Sequence, residues 1–281
     1  MAARARLHNN SIMSDKKLGK PHGRHSAPPR GEHAAPKDER KSKAPKPSAA
    51  PRPVRSPRTI EIVPAILRAT WEGIQEDWAK VSKTSDHIQI DITDGVFAGD
   101  GTFRELRQFK KLPRSEKIEL HMMVHTPDNF VDDIIDLNPA RCVWHVESFE
   151  GATSIAFVYD AVRSKAQTEL GLAINPGSPD NWLTDNVGLI DYALFMGYNP
   201  GWAGQPIDPV VYRKIGAFHA LYPELPIAVD GHVSKETVEP YVKAGANILC
   251  ANTAIFGEGD PVENSKQLEL LAQSAAAHEE I

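Results

Sequence analysis

The stretch Gln89-Ile90-Asp91-Ile92-Thr93-Asp94-Gly95 decides the fold, because it has the pattern of a strand that carries a carboxylate to its C-terminal end and then turns. From position 87 to position 92, polar side chains and isoleucines alternate strictly. This period of two is that of a β-strand with one polar face. A half-exposed sheet would turn this face to water, whereas a closed barrel would turn it inward. The residues downstream favour the barrel.

The chain divides by composition into two parts. Residues 1–58 contain 15 Lys and Arg against 4 Asp and Glu, whereas residues 59–281 contain 17 against 33. The first part is rich in Pro, Ser and Ala and has no apolar period, so it cannot bury enough surface to offset its ordering entropy. We predict a disordered basic Pro-rich tail over residues 1–58 and a folded domain over residues 59–281.

The tail has three interpretations. The first is a solvated extension. The second is a basic arm that binds an acidic partner, such as nucleic acid, anionic lipid or this protein's own acidic domain. A transit peptide fits less well, because the segment contains Asp15 and many lysines.

Cysteine content and hydropathy bear on the compartment. Cys142 and Cys250 lie in apolar runs and have no metal-ligand spacing, which predicts buried free thiols in a reducing compartment. No run is long and apolar enough for a membrane span. We therefore expect a soluble cytoplasmic protein, and the sequence leaves a homo-oligomer open.

From position 60 onward, short apolar runs alternate with segments of helical period. The predicted pairs of strand and helix cover residues 60–67 and 71–82, 87–92 and 103–110, 117–124 and 127–136, 141–146 and 153–164, 169–174 and 179–185, 189–197 and 209–221, 226–230 and 235–244, and 248–251 and 265–279. Eight such units predict an α/β protein with a closed (β/α)8 TIM barrel. A doubly wound open sheet is the alternative, but no Gly-x-Gly-x-x-Gly follows the first strand.

Polar residues interrupt three of these strands at or near their C-terminal ends. Asp91 ends the second strand, His121 nearly ends the third and Asp230 ends the seventh. The C-terminal ends of barrel strands meet at one mouth, where such folds carry out their chemistry. We therefore expect these three side chains to converge.

Six motifs of the chain resemble those of ribulose-phosphate 3-epimerases. They are Ile62-Val63-Pro64-Ala65-Ile66-Leu67, Gln89-Ile90-Asp91-Ile92-Thr93-Asp94-Gly95, Leu120-His121-Met122-Met123-Val124 with Pro127-Asp128-Asn129, Asn199-Pro200-Gly201-Trp202-Ala203-Gly204-Gln205, Val229-Asp230-Gly231 and Ala254-Ile255-Phe256-Gly257. Each motif alone is weak, whereas six in order over residues 60–257 are specific to the family. The resemblance implies a barrel enzyme of the pentose phosphate pathway. Such an enzyme interconverts D-ribulose 5-phosphate and D-xylulose 5-phosphate by moving the proton at C3, with the help of a divalent metal.

The resemblance also implies roles for individual residues. Asp91 and Asp230 match the family's acid/base pair, and inversion at a carbon needs a base on one face and an acid on the other. His121 matches a metal ligand, although a lone strand histidine is more often a hydrogen-bonded core residue. The implied metal ligands are Gln89, Asp91, His121 and Asp230. The candidate metals are Zn, Fe, Mn and Mg, and any of them would stabilise an enediolate.

A further set of residues is implied to bind a phosphorylated ketose. The loop over residues 199–205 follows the sixth strand, and its glycines let backbone N–H groups face an anion, although an ordinary Pro/Gly turn is the alternative. The loops after the seventh and eighth strands are placed as in the phosphate sites of barrels. The implied binding residues are Ala65, His121, Gly201, Trp202, Ala203, Gly204, Gly231, His232, Asn252 and Thr253.

The chain departs from the family pattern at several of these positions. Ala65 stands in place of a serine, Gln89 in place of a histidine ligand and Thr93 in place of a methionine. In the phosphate loops, His232 replaces a glycine and Asn252-Thr253 replaces Gly-Ser. Two hypotheses follow, an epimerase of a ketose phosphate and a catalytically silent barrel that binds a sugar phosphate or a protein partner. The two retained carboxylates favour the first, and the altered ligands favour the second.

Overall fold

The computed structural model describes residues 59–200 and 205–277, in which eight parallel strands close into a barrel. The strands are β1 Glu61–Ile66, β2 Ile88–Thr93, β3 Ile118–Met123, β4 Arg141–His145, β5 Glu169–Ile174, β6 Tyr192–Met196, β7 Ile227–Asp230 and β8 Ile248–Ala251. They pair in chain order, and β1 pairs with β8 to close the ring. The predicted TIM barrel is therefore confirmed. The predictions for the tail and for residues 201–204 lie outside the described residues.

Helices connect the strands, as the sequence predicts. The α-helices are α1 Trp71–Val81, α2 Val131–Leu137, α3 Ala152–Arg163, α4 Asn181–Thr184, α5 Val210–Leu221, α6 Val238–Lys243, α7 Thr253–Phe256 and α8 Pro261–Ala277. Short 3-10 helices cover Leu106–Lys111, Ser115–Lys117, Pro127–Phe130, Val146–Ser148 and Val187–Leu189.

The helix after β2 and the last helix differ from their predicted form. The helix predicted after β2 is the 3-10 helix Leu106–Lys111, whose buried Leu106 and Phe109 have the three-residue spacing of that helix type. The last helix begins at Pro261 rather than at position 265, because Asp260 caps it. The Asp260 carboxylate accepts the backbone N–H groups of residues 262 and 263 at 2.9 and 3.0 Å.

The alternation in β2 separates the two faces of the barrel wall. Every residue of β2 is buried. Ile88, Ile90 and Ile92 pack with the helices in the main hydrophobic core. Gln89 and Asp91 have the opposite parity and face the barrel interior. The polar face of this strand therefore points inward, as the barrel interpretation requires, and does not face water.

An ion cluster centred on buried Arg141 and Glu119 lies at the other end of the barrel, where the strands begin. Arg141 donates to Glu61 at 2.8 Å, to Glu119 at 3.1 Å and to Glu169 at 3.2 Å. Each of these residues is first or second in its strand. Glu61 also contacts His87. We refer to Glu61, His87, Glu119, Arg141 and Glu169 as the floor cluster.

Cys142 and Cys250 are both buried free thiols, as predicted. Over residues 59–200 and 205–277, no helix combines the length and the apolar character that crossing a membrane requires.

Candidate active site at the mouth of the barrel

Three strands bring polar side chains together inside the barrel. Asp91 of β2 lies opposite His121 of β3 in the strand register. Asp230 is the last residue of β7. Gln89 shares the inward face of β2 with Asp91, one step nearer the floor cluster. The structure therefore brings together all four residues that the sequence assigns to the metal site.

These four side chains form one hydrogen-bonded group. His121 Nδ1 lies 3.2 Å from Asp91 Oδ1 and 3.0 Å from Asp230 Oδ2. Gln89 Nε2 donates to the same two oxygens, at 2.7 Å to Asp91 and at 2.6 Å to Asp230. The Gln89 Oε1 atom is buried and has no hydrogen-bond partner among the described residues. The amide of Gln89 thus turns its nitrogen, not its oxygen, toward the two carboxylates.

Burial and charge shift the proton affinities in this group. Burial and the charge of Asp230 raise the pKa of Asp91 to about 6, against the opposing effect of His121 and Gln89. Burial lowers the pKa of His121, but hydrogen bonds to Asp230 and Asp91 and their charges outweigh it and raise the pKa to about 9. Burial and neighbouring charge therefore favour the protonated form of Asp91 more than in a free aspartate, and the two carboxylates favour a protonated His121 as long as no cation replaces its Nδ1 proton.

The donor atoms of the group suit a divalent cation. One ligand atom from each of Asp91, His121 and Asp230 lies within 4.8 Å of the others. Carboxylate oxygens and an imidazole nitrogen are ligands for Zn, Fe and Mn, and carboxylates also suit Mg. Gln89 fits as a fourth ligand if its amide turns over and exchanges Nε2 for Oε1. That turn gives up the two hydrogen bonds from Nε2 to the carboxylates, whose charge the cation would then offset, and it leaves no partner of Oε1 behind, so these residues fit the cation.

Two residues behind His121, His145 and Glu147, were not predicted from the sequence. His145 is the last residue of β4 and is fully buried. Its Nε2 lies 2.9 Å from His121 Nε2, and its Nδ1 lies 3.4 Å from Glu147 Oε2. Burial lowers the pKa of His145, although Glu147 opposes that effect. Its position at the C-terminal end of a barrel strand is the signal that could have identified His145.

A cavity of about 230 Å³ opens beside Asp230, between the ends of β7 and β8. Its lining includes Tyr198, Asp230, Gly231, His232, Asn252 and Thr253. Four of the predicted phosphate-binding residues therefore border one cavity next to the carboxylates. Tyr198 is a further lining residue that the sequence analysis did not single out.

Two predicted binding residues are used within the protein. The Asn252 side chain donates to the backbone oxygen of Ala65 at 2.7 Å, which links the end of β8 to β1. Ala65 is buried in the barrel interior and offers a methyl group where the family has a hydroxyl. Ala65 therefore offers no side-chain donor to a ligand, and one N–H of the Asn252 amide is used within the protein.

His232 has a constrained backbone. Its φ of 56° lies in the left-handed region that favours glycine, and a glycine is the residue expected there from the family pattern. Its Nδ1 lies 2.8 Å from the backbone oxygen of Gln205 and donates to it. The side chain thus links the loop after β7 to the loop after β6, and its Nε2 is the ring nitrogen left to meet a ligand.

Solved structures resemble the described fold at low sequence identity. 3-Hexulose-6-phosphate synthase matches 75% of this chain and 99% of its own, with a TM-score of 0.56 and 17% identity. Orotidine 5'-monophosphate decarboxylase from Sulfolobus solfataricus matches 77% of this chain and 99% of its own, with a TM-score of 0.54 and 10% identity. These similarities support the fold alone.

Comparison of sequences identifies the family, which the similarity of folds does not. The protein of Candida glabrata named ribulose-phosphate 3-epimerase is 29% identical over 222 residues, which cover 72% of this chain and 88% of that protein. The protein of the same name from Methanocaldococcus jannaschii is 29% identical over 226 residues, covering 77% and 92%. The profile of the ribulose-phosphate 3 epimerase family matches residues 61–256, which span all eight strands. The chain therefore belongs to the ribulose-phosphate 3 epimerase family.

Proposed function

We propose that this protein is an isomerase that inverts C3 of a ketose phosphate, interconverting D-ribulose 5-phosphate and D-xylulose 5-phosphate. The observation that carries the proposal is the meeting of two carboxylates from different strands. Asp91 and Asp230 both lie within hydrogen-bond distance of His121 Nδ1, at 3.2 and 3.0 Å. Family membership and the names of the curated relatives support the same reaction.

The two carboxylates supply the proton transfers. One carboxylate accepts the C3 proton from one face of the ketose, and the other, as a carboxylic acid, returns a proton to the opposite face. The roles are exchanged in the reverse reaction. Since burial and the charge of Asp230 raise the pKa of Asp91 to about 6, Asp91 can hold a proton at one stage and release it at the next.

The negative charge that follows loss of the C3 proton has to be stabilised in a buried site. Asp91, His121 and Asp230 would hold a divalent cation, with Zn, Fe, Mn and Mg as candidates. When bound, such a cation supplies Lewis-acid stabilisation of the charge on the substrate oxygens. Gln89 would join it through Oε1 after its amide turns over.

The substrate phosphate is assigned to the cavity beside Asp230. Gly231, His232, Asn252 and Thr253 border it at the ends of β7 and β8. TIM barrels commonly bind phosphate at this edge, after their last two strands. A phosphate held there leaves the sugar carbons to extend toward Asp230 and Asp91.

The test is exchange of the C3 proton of D-ribulose 5-phosphate in deuterated water, followed by NMR. We expect exchange with added Mn²⁺ or Mg²⁺, and a loss of roughly 10²- to 10⁴-fold in Asp91→Asn and in Asp230→Asn. Asp100→Asn, at an exposed position, is the control and should leave the rate unchanged. Absence of exchange with every candidate metal would contradict the proposal and favour a silent barrel that binds a sugar phosphate.

A further inference from the structure

A chain of polar side chains runs from the site into the wall of the barrel. It starts at His121, whose Nδ1 faces Asp91 and Asp230, and continues through His145 to Glu147. The two imidazoles face each other through their Nε2 atoms, 2.9 Å apart. Both histidines have no exposed side-chain surface, so water does not compete for these contacts.

The contacts fix where the protons lie. Two ring nitrogens at hydrogen-bond distance share one proton, so one of them donates and the other accepts. If His121 donates from Nε2, then neutral His145 accepts at Nε2 and carries its own proton on Nδ1. That Nδ1 faces Glu147 Oε2 at 3.4 Å, an ion-pair distance longer than a formed hydrogen bond, and among the described residues neither atom has a hydrogen-bond partner. A carboxylate can only accept, so it selects this arrangement over the reverse one.

We propose that Glu147 is a positioning residue that acts through His145 to keep a proton on His121 Nε2, so that Nδ1 is the nitrogen that gives up its proton and binds a divalent cation. The inference deepens the proposed function and rests on its assignment of His121 as a cation ligand. A carboxylate that orients an imidazole through its second nitrogen is a general device at metal and catalytic sites. Here a second imidazole lies between the two.

The position of Glu147 is itself fixed. Its Oε1 accepts the backbone N–H of Asn175 at 2.8 Å and the hydroxyl of Ser178 at 2.5 Å. Two donors therefore hold one oxygen, and the other oxygen is left to face His145. Lys214 stabilises the same loop, donating to the backbone oxygens of residues 175, 176 and 178.

This anchoring makes Glu147→Gln an informative variant. Because the two donors require an oxygen at the Oε1 position, the glutamine must turn its NH2 group toward His145. His145 then has to accept at Nδ1 and carry its proton on Nε2, facing His121. His121 must accept in turn, and its remaining proton moves to Nδ1, where it blocks the lone pair. One isosteric change thus reverses the direction of each hydrogen bond between residue 147 and His121.

The experiment measures binding of Mn²⁺ alone to the full-length protein by calorimetry. We expect Glu147→Gln to bind Mn²⁺ about 10- to 100-fold more weakly than the wild type, the usual loss when such a partner is removed. Glu150→Gln, an exposed change three positions later, is the matched control and should bind like the wild type. Equal thermal midpoints of the variants would show that folding is intact.

Two further measurements separate proton placement from simple loss of a negative charge. Nitrogen NMR of the imidazoles should place the His145 proton on Nδ1 in the wild type and on Nε2 in Glu147→Gln. A His145→Gln background removes the imidazole that links Glu147 to His121. Adding Glu147→Gln in that background should change the Mn²⁺ affinity by no more than about twofold. A long-range effect of charge would persist in that background.

Several results would overturn the inference. They are a wild-type His145 that carries its proton on Nε2, an unchanged Mn²⁺ affinity in Glu147→Gln, an equal loss in the His145→Gln background, or a wild type that binds no Mn²⁺. Failure of the proposed function is distinguishable, because it would show as absent C3 exchange while the Mn²⁺ and NMR results stand.

Discussion

Gln89 is the residue at which this chain differs most from a conventional cation site. Its amide nitrogen contacts Asp91 and Asp230 at 2.7 and 2.6 Å, where it partly offsets the repulsion between the two carboxylates. A neutral amide is a weaker ligand than imidazole for a borderline metal such as Zn²⁺. The amide oxygen is better suited to a hard cation such as Mg²⁺. We therefore expect the residue to favour Mn²⁺ or Mg²⁺ over tightly held Zn²⁺.

The corresponding prediction concerns Gln89→His. We expect the wild type to carry substoichiometric metal, and the variant to bind Zn²⁺ at least about tenfold more tightly, equivalent to about 1.4 kcal/mol. The physical reason is that a fourth strong donor, the second imidazole of the site, replaces an amide that must first turn over. Elemental analysis and competition with a chelator measure both quantities. Gln273→His on the exposed side of α8 controls for the added imidazole, and stoichiometric zinc in the wild type would contradict the prediction.

Among the secondary-structure elements, hydrogen bonds from the loop after β2 hold the ends of β2 and β3 in place. The loop after β2 closes onto its own strand, since Thr102 donates to the backbone oxygen of Asp91 at 2.9 Å and Thr93 to that of Asp100 at 2.6 Å. Asp94 accepts the backbone N–H of His125 at 2.6 Å and so ties the ends of β2 and β3 together. These bonds fix the strand end that carries Asp91. Asp94 thus holds the ends of these two strands together.

The floor cluster links the N-terminal ends of four strands, and its charges predict how the stability of the fold depends on pH. Burial raises the pKa of Glu61, but the His87 hydrogen bond and the Arg141 charge outweigh it and lower the pKa from 4.5 to about 2. A lowered carboxyl pKa stabilises the fold above pH 4.5, and this stabilisation is lost as the pH falls toward 2. Glu61→Gln should therefore be less stable than the wild type by about 3 kcal/mol at pH 7.

The difference between the two proteins should shrink as the pH falls from about 5 to 2. Urea unfolding at pH 7, 4 and 3 measures it, with Glu224→Gln in an exposed loop as the control. A difference that stays constant with pH would show that the charge of Glu61 is not what stabilises the floor.

At the scale of the whole molecule, the barrel closes through the pairing of β1 with β8. Residues 1–58, with their excess of Lys and Arg, lie outside the described part of the chain. The disordered tail, the domain boundary at position 58, the homo-oligomer and the cytoplasmic location all stay predictions.

The tail gives a prediction at this scale. Deleting residues 1–58 should leave the thermal midpoint unchanged within error, because that segment has no apolar pattern to pack. Calorimetry of the full-length and truncated proteins measures it, and C3 exchange should be equal in both. A loss of several degrees would instead indicate that the segment docks on the barrel.

Local pattern determined much of this protein. The alternation in β2, the eight strand and helix units and the six motifs are all local features, and they predicted the barrel, the family and the convergence of Asp91, His121 and Asp230. Local pattern suffices here because the period of a segment decides which side chains share a face, and parallel strands bring their C-terminal ends to one mouth.

Tertiary structure decided the rest. That Gln89 turns its nitrogen to two carboxylates, that His145 lies behind His121, and that Arg141 meets three glutamates depend on strand register and on barrel closure. Glu61 and Arg141, for example, are 80 positions apart in sequence. No local period encodes such a meeting, because it is fixed only when the ring closes and buried polar groups must find partners.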